Sequence, residues 1–212
     1  MASAGQPSTA ENPANQMGID TLTLQSIRSA VFLDRDGVLN EAIVRSGKPY
    51  PPRDLGELVI TRGAAAALQA LKHEGFLLIV VTNQPDLARG TINRADIDKI
   101  NARLSGILPL DAIEVCEHDD AAQCDCRKPK PGMVLRARDK FCVDLADSFM
   151  VGDRWRDIAA GRRAGCRSVL IGDGYGEAFP YQPTIKVASL PAAASWIIQQ
   201  RGRGRETYEN AQ

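Results

Sequence analysis

Two aspartates separated by one residue have side chains and a spacing that could bind a metal ion or take part in catalysis. Asp34 and Asp36 follow the apolar segment Ala30–Leu33, and residues i and i+2 of an extended chain point to the same side. Two carboxylates at one site can bind a hard cation such as Mg²⁺. One can act as a nucleophile that forms an acyl-phosphate, while the other carries protons. A pair of solvated loop aspartates has the same pattern, so this pair alone does not decide the function.

A second candidate position follows the apolar segment Phe76–Val81. The hydroxyl of Thr82 and the backbone amides after it could hold a phosphate oxygen. The same residue types also cap helices and form Asx turns. Taken alone, Thr82-Asn83-Gln84 is therefore weak support for a phosphate site.

A third group of candidates combines carboxylates with positive charge. Asp153 follows the apolar segment Ser148–Val151 and would complete an oxygen-rich Mg²⁺ site, while Asp157, four residues later, is expected to support it indirectly. Lys128 could neutralise charge on a transferring phosphoryl group, although most lysines are simply exposed. Arg127 could hold a second anionic group with two hydrogen bonds.

These residues require elements that bring them to one place. Short apolar segments alternate with helical patterns, which predicts an α/β fold: a doubly wound parallel sheet with helices on both faces. In such sheets ligands bind at the carboxyl ends of the strands, where all these candidates lie. The predicted strands are Ala30–Leu33, Phe76–Val81, Ile113–Val115, Ser148–Val151 and Ser168–Ile171, and the predicted helices are Gly63–Glu74, Arg94–Leu104, Pro131–Phe141, Trp155–Ala164 and Leu190–Gln199.

Four metal-binding residue types fall within one short segment. Cys116, His118, Cys124 and Cys126 lie within eleven residues, and three thiolates with one imidazole suit tetrahedral Zn²⁺. Because the protein would fill all four positions, no position remains for a catalytic water, and the site is predicted to be structural. A zinc ion would fix a polar loop that has no apolar anchor.

Length and composition limit the remaining possibilities. The chain has 212 residues, 44% hydrophobic, with 26 Lys and Arg against 26 Asp and Glu. This balance argues against a nucleic-acid binder, and the longest apolar run is too short to span a membrane. With no secretory signal pattern, we expect a cytoplasmic protein whose cysteines are thiols or metal ligands. We predict a disordered extension over residues 1–26, one domain over 27–200 and a flexible tail over 201–212.

The order of the motifs resembles that of the haloacid dehalogenase (HAD) superfamily of phosphotransferases, over about Ala30 to Ile171. The cluster of cysteines followed by Arg127-Lys128-Pro129 narrows the resemblance to the zinc-containing branch, subfamily IIIA. That branch holds D-glycero-D-manno-heptose-1,7-bisphosphate 7-phosphatase and histidinol-phosphate phosphatase. The matching stretches are Phe32–Asn40, Thr82–Gln84, Ala88–Gly90 and Cys124–Pro129.

The resemblance implies an enzyme without a large cap domain, whose zinc loop helps to shape the pocket. Asp34 would be the nucleophile and Asp36 the general acid and base. Thr82 and Lys128 would stabilise the phosphoryl oxygens. Mg²⁺ would be bound by Asp34, the backbone carbonyl of Asp36, and Asp153. The implied substrate-binding residues are Arg45, Asn83, Gln84, Arg127 and Arg154.

The implied substrate is a small sugar phosphate, with the heptose bisphosphate favoured over histidinol phosphate, and the implied enzyme is a monomer. Two features depart from the family pattern. Pro85-Asp86 stands where Ser-Gly is usual, and the zinc loop has the shorter length of the histidinol-phosphate enzymes. Lys130–Met133 is closer to the heptose group. A receiver-like signalling domain and a non-catalytic zinc-stabilised module are the alternatives outside this class.

Overall fold

A computed structural model describes residue 1 and residues 27–209, with side chains to residue 201. Eight strands and five α-helices occur in this described part of the chain. The strands are β1 (Arg28–Leu33), β2 (Ile43–Arg45), β3 (Lys48–Tyr50), β4 (Leu77–Asn83), β5 (Ala112–Cys116), β6 (Val143–Gly152), β7 (Arg167–Ile171) and β8 (Ile185–Val187). The helices are α1 (Ala64–His73), α2 (Arg94–Ile107), α3 (Gly132–Phe141), α4 (Trp155–Ala164) and α5 (Leu190–Glu209).

Six of these strands form a parallel sheet in the order β5-β4-β1-β6-β7-β8. The chain runs outwards from β1 through β4 to β5, then returns to β6 on the other side of β1. This reversal of direction is the position at which ligands bind in open α/β sheets. The predicted fold class is confirmed, and no large cap domain occurs among the described residues.

The sheet separates two apolar cores, and strand β1 contributes to both. Val31 and Leu33 pack in a cluster with buried residues of α1, α2 and α5. Ala30 and Phe32, which point the other way, pack in a second cluster with residues of α3. Both faces of β1 are therefore buried, which explains why its sequence is continuously apolar instead of alternating.

Three elements differ from the sequence-based expectation. Strand β8 was not predicted, because three residues are too few to show a period. The segment Ala42–Tyr50 contains the antiparallel hairpin of β2 and β3. Helix α5 continues to Glu209, past the predicted end at Gln199 and into the predicted tail. Arg201 accounts for the first part of this extension, since its guanidinium lies 4.6 Å from the Phe76 ring centroid and donates to the carbonyl of Glu74.

Residues 2–26, predicted to be a disordered extension, lie outside the described residues. Within the part of the chain that is described, no helix has the length and apolarity to cross a membrane.

Phe149 joins β6 to helix α5 and to the residue that precedes β4. Its ring packs edge-on against Phe76 and Trp196, with both centroid distances at 5.9 Å. Phe149 is completely buried. We expect Phe149→Ala to lower the free energy of unfolding by about 3–5 kcal/mol, because it removes a buried ring and leaves a cavity. Denaturant unfolding measures this loss.

Leu55→Ala is the control, because Leu55 is exposed and its truncation removes little buried surface. A loss for Phe149→Ala no larger than that of the control would contradict this account of the core.

Candidate active site

The carboxyl ends of β1 and β6 bring three carboxylates together. The backbone amide of Asp34 donates to the carbonyl of Val151 at 2.9 Å, which ties the end of β1 to β6. Oxygens of Asp34, Asp153 and Asp157 lie within 4.8 Å of one another. Asp153 and Asp157 are buried, and the side chain of Asp34 is 13% exposed.

Lys128 is the cation of this group. Its Nζ lies 2.8 Å from Oδ1 of Asp34 and 2.6 Å from Oδ1 of Asp157. Asn83, at the end of β4, fixes the lysine backbone by accepting from its amide and donating to its carbonyl, both at 3.0 Å. Burial alone would lower the pKa of Lys128, but the charges of Asp157 and Asp34 outweigh it and raise that pKa above its ordinary value.

Three carboxylates around one ammonium leave negative charge uncompensated. Burial raises the pKa of Asp34 to about 7, the charge of Asp157 adds to this effect, and Lys128 opposes it. Burial and then the charges of Asp157 and Asp34 raise the pKa of Asp153 well above its ordinary value. Oδ2 of Asp153 accepts from the hydroxyl of Tyr175 at 2.7 Å, whereas its buried Oδ1 has no hydrogen-bond partner among the described residues. This orphaned oxygen and the all-oxygen donor set fit a hard divalent cation.

The carboxylate of Asp36 is held by three neighbours. It accepts two hydrogen bonds from the buried Arg35, at 3.1 Å each, one from Asn40 at 3.0 Å and one from Gln84 at 2.8 Å. Gln84 also donates to the hydroxyl of the buried Thr82 at 2.8 Å. The end of β4 therefore orients Asp36 through side-chain hydrogen bonds.

A cavity of about 280 Å³ opens above these groups. Asp34, Asp36, Lys128 and Asp153 line it together with Asn83, Pro85 and Asp86. Its arginines are Arg89, Arg127, Arg154 and Arg156, each paired with an acid. The pairs are Arg89–Asp86 at 3.2 Å, Arg127–Asp120 at 2.9 Å, Arg156–Asp120 at 3.4 Å and Arg154–Glu177.

The cavity contains only some of the residues predicted to bind substrate. Arg127, Arg154 and Asn83 line it. Gln84 does not: it is buried, and its amide holds Asp36. Arg45, at the end of β2, lines a neighbouring cavity and lies 3.7 Å from Glu57.

The predicted zinc ligands form a compact cluster at the end of β5. Sγ of Cys126 lies 3.2 Å from the Sγ atoms of Cys116 and Cys124 and 3.3 Å from Nδ1 of His118. The Cys116–Cys124 and Cys116–His118 separations are both 3.7 Å. Tetrahedral zinc with Zn–S bonds of about 2.3 Å needs ligand separations of roughly 3.7 Å. Two of these separations match that value and three are shorter, and all four donors lie close enough together to converge on one metal ion.

Comparison with known proteins identifies the relatives of the chain. A HAD-hydrolase-like family model matches residues 125–193. The D-glycero-beta-D-manno-heptose-1,7-bisphosphate 7-phosphatase of Escherichia coli (strain K12) is 38% identical over 80% of this chain and 87% of its own length. The enzyme of that name from Pseudomonas aeruginosa is 34% identical over 81% of this chain and 99% of its own.

A solved structure agrees with these sequence relatives. The D,D-heptose 1.7-bisphosphate phosphatase from B. bronchiseptica, complexed with magnesium and phosphate, superposes with a TM-score of 0.69. It is 31% identical and covers 81% of this chain and 99% of its own. The chain belongs to the HAD superfamily of phosphatases.

The structure specifies the contacts of Asp157 in this HAD phosphatase and adds one residue, Tyr175, to which the sequence did not point. Asp157 contacts Lys128 directly and also caps α4, where it accepts from the amide of Arg154 at 3.0 Å. Its spacing from Asp153 was the available signal. Tyr175 was missed altogether, and the only signal was its position between two glycines. Its φ of 55° is in the left-handed region, unusual for a tyrosine, and the turn aims its hydroxyl at Asp153.

The raised pKa of Asp34 predicts how the magnesium-free HAD phosphatase responds to pH. Between the ordinary value of 3.8 and about 7, the folded protein binds more protons than the unfolded chain, so stability falls as pH rises through this window. Asp34→Asn removes the titrating group. We therefore expect the variant to have a higher Tm than the wild type at pH 8 without magnesium, and a smaller difference at pH 4.

Thermal unfolding in magnesium-free buffer, without a chelator, measures both differences. Asp139→Asn, which removes an exposed carboxylate on α3, is the matched control. A lower Tm for Asp34→Asn than for the wild type at pH 8 would show that Asp34 is stabilising when ionised, against this prediction.

Proposed function

We propose that this HAD phosphatase removes the 7-phosphate of D-glycero-beta-D-manno-heptose 1,7-bisphosphate with the help of Mg²⁺. The observation that carries the proposal is the arrangement of charge in one cavity. Asp34, Asp153 and Lys128 lie on its floor, while Arg127 and Arg154 lie on its walls. The names of the relatives from E. coli and P. aeruginosa support this substrate.

In the proposed mechanism Asp34 is the nucleophile. An Oδ atom of Asp34 attacks the phosphorus, the bond from phosphorus to the sugar oxygen breaks, and an aspartyl-phosphate forms. The proton of the Asp36 carboxyl goes to the departing alkoxide. Asp36 then takes a proton from a water molecule, whose oxygen attacks the phosphorus and releases inorganic phosphate and free Asp34. The hydrogen bonds from Arg35, Asn40 and Gln84 hold Asp36 in place for both transfers.

Positive charge makes the attack of one anion on another feasible. Lys128 already touches the nucleophile at 2.8 Å and would stabilise the phosphoryl oxygens. The hydroxyl of Thr82, predicted to share this role, is buried outside the cavity lining and accepts from Gln84. Asp34, Asp153 and the backbone carbonyl of Asp36 would hold Mg²⁺, whose charge, when bound, would offset that of the phosphoryl group. Arg127 and Arg154 would bind the second phosphate, because guanidinium groups match phosphate oxygens with paired donors.

We predict that Asp34→Asn abolishes Mg²⁺-dependent phosphate release from the heptose bisphosphate, because the amide cannot form the acyl-phosphate. Steady-state phosphate release measures this, with far-ultraviolet circular dichroism to confirm folding. Wild-type kcat/KM is compared among the heptose bisphosphate, fructose 1,6-bisphosphate and histidinol phosphate, and the first should be highest. A higher value for histidinol phosphate would overturn the proposed substrate, and an active Asp34→Asn would overturn the mechanism.

We also propose that Cys116, His118, Cys124 and Cys126 bind a structural Zn²⁺. Cys126→Ser should lose the metal and lower the Tm, because the polar loop between the ligands then loses its anchor. Elemental analysis of protein purified without chelators gives the zinc content per chain. Cys142→Ala keeps all four ligands and should keep its zinc. Zinc-free wild-type protein with an unchanged Tm would refute the proposal.

A further inference from the structure

Asp120 is the residue of the zinc loop that reaches into the active-site cavity. The loop between His118 and Cys124 carries it to the cavity wall. There its carboxylate accepts from Nε and Nη2 of Arg127, at 2.9 and 3.4 Å, and from Nη1 of Arg156 at 3.4 Å. One carboxylate therefore connects two of the four arginines of the cavity.

The two arginines are less exposed than the acid that pairs with them. The side chain of Asp120 is 59% exposed, against 12% for Arg127 and 29% for Arg156. The guanidinium groups are thus held in the wall, while the carboxylate sits on the solvent side of them. An exposed ion pair of this kind contributes little stability and can be exchanged for another anion.

Asp120 binds one edge of the Arg127 guanidinium and leaves one of its donors unused. The buried Nη1 of Arg127 has no hydrogen-bond partner among the described residues. A carboxylate offers two oxygens to the two arginines, whereas a phosphate group offers three and a larger negative charge. A phosphate in the place of the carboxylate would therefore bring one more acceptor oxygen and more negative charge to the same two guanidinium groups.

The structure also provides a place for Asp120 to move. A further cavity, of about 370 Å³ and distinct from the one that Arg45 lines, shares Asp120 and Arg127 with the active-site cavity. It is also lined by Lys130 and Arg163. A carboxylate that left the active-site cavity would enter a basic environment there, which reduces the cost of breaking its present pairs.

We propose that Asp120 occupies the binding position of a distal phosphate in the free enzyme, and that a bisphosphate substrate displaces it from Arg127 and Arg156. Asp120 acts as an internal competitor that a substrate with a second phosphate overcomes and a monophosphate does not. It is thus a specificity-determining residue, and Arg156 is a further ligand of the distal phosphate. This inference rests on the proposed function, because it assumes a substrate with two phosphates.

Calorimetric binding tests the proposal in full-length, zinc-loaded protein with Mg²⁺, on an Asp34→Asn background that blocks turnover. The probes are the heptose 1,7-bisphosphate and heptose 7-phosphate, which differ only in the distal group. Adding Asp120→Asn should tighten bisphosphate binding roughly three- to fivefold, since it removes one exposed competing charge. Binding of the monophosphate should change less than twofold.

Asp125→Asn is the matched control: it removes the same charge from the same loop, at a side chain that is 98% exposed and does not line the active-site cavity. Arg156→Gln should weaken bisphosphate binding alone. Unchanged or weaker bisphosphate binding in Asp120→Asn, an equal change for both probes or for Asp125→Asn, or no detectable bisphosphate binding would each overturn the inference. Failure of the proposed function is separate, since it appears as a wild type that releases no phosphate from the heptose bisphosphate.

Discussion

A buried lysine held between two aspartates is the interaction on which the rest of the site depends. An ammonium removed from water is costly unless it is paired, and Lys128 contacts Asp34 and Asp157 at 2.8 and 2.6 Å. Asp34 ends β1, and Asp157 lies in the first turn of α4. Lys128 comes from the segment between the cysteine cluster and α3. One cation therefore joins three parts of the chain that are distant in sequence.

This convergence needs space that only glycine leaves. A Cβ at Gly152 would lie 2.1 Å from Cβ of Asp157, so a side chain there would push α4 away from the end of β6. A Cβ at Gly37 would lie 1.8 Å from Oδ2 of Asp153, and the φ of Gly37 is +87°. The turn after β1 can approach Asp153 because residue 37 has no side chain. Two glycines thus set how closely the carboxylates approach, and with it the charge density that a cation would compensate.

A structural feature could be predicted from the sequence when residues close together in the chain encode it. The apolar segments predicted β1 and β4 well, because strands buried on both faces need a continuous apolar run. Of β6 they predicted only the buried part, Ser148–Val151, because the residues after Val143, where the strand begins, are at least partly exposed. Asp34, Asp153 and the four cysteine-cluster residues were recognisable because their spacing is encoded within a few residues. Tyr175 and β8 were missed, since one depends on an unusual turn and the other on pairing with β7. Gln84 and Arg45 were predicted to bind substrate, but what a side chain faces depends on tertiary contacts that spacing does not report.

The net charge of zero has a similar limit: it is a property of the whole chain and does not report where the charges lie. It describes an even balance of 26 and 26 charges, yet three carboxylates gather around Lys128, and the four arginines of the cavity are each paired with an acid. Chain order explains part of this arrangement. Cys126, Arg127 and Lys128 are consecutive in sequence. The cysteine cluster that positions Cys126 therefore also positions the two cations that follow it, both of which line the cavity.

The segment that carries Asp125 is also fixed to the start of α3, because the amide of Gly132 donates to the carbonyl of Asp125 at 3.1 Å. A Cβ at Gly132 would approach that oxygen to 2.3 Å. The cysteine cluster is thereby linked through the backbone to the lysine that contacts Asp34.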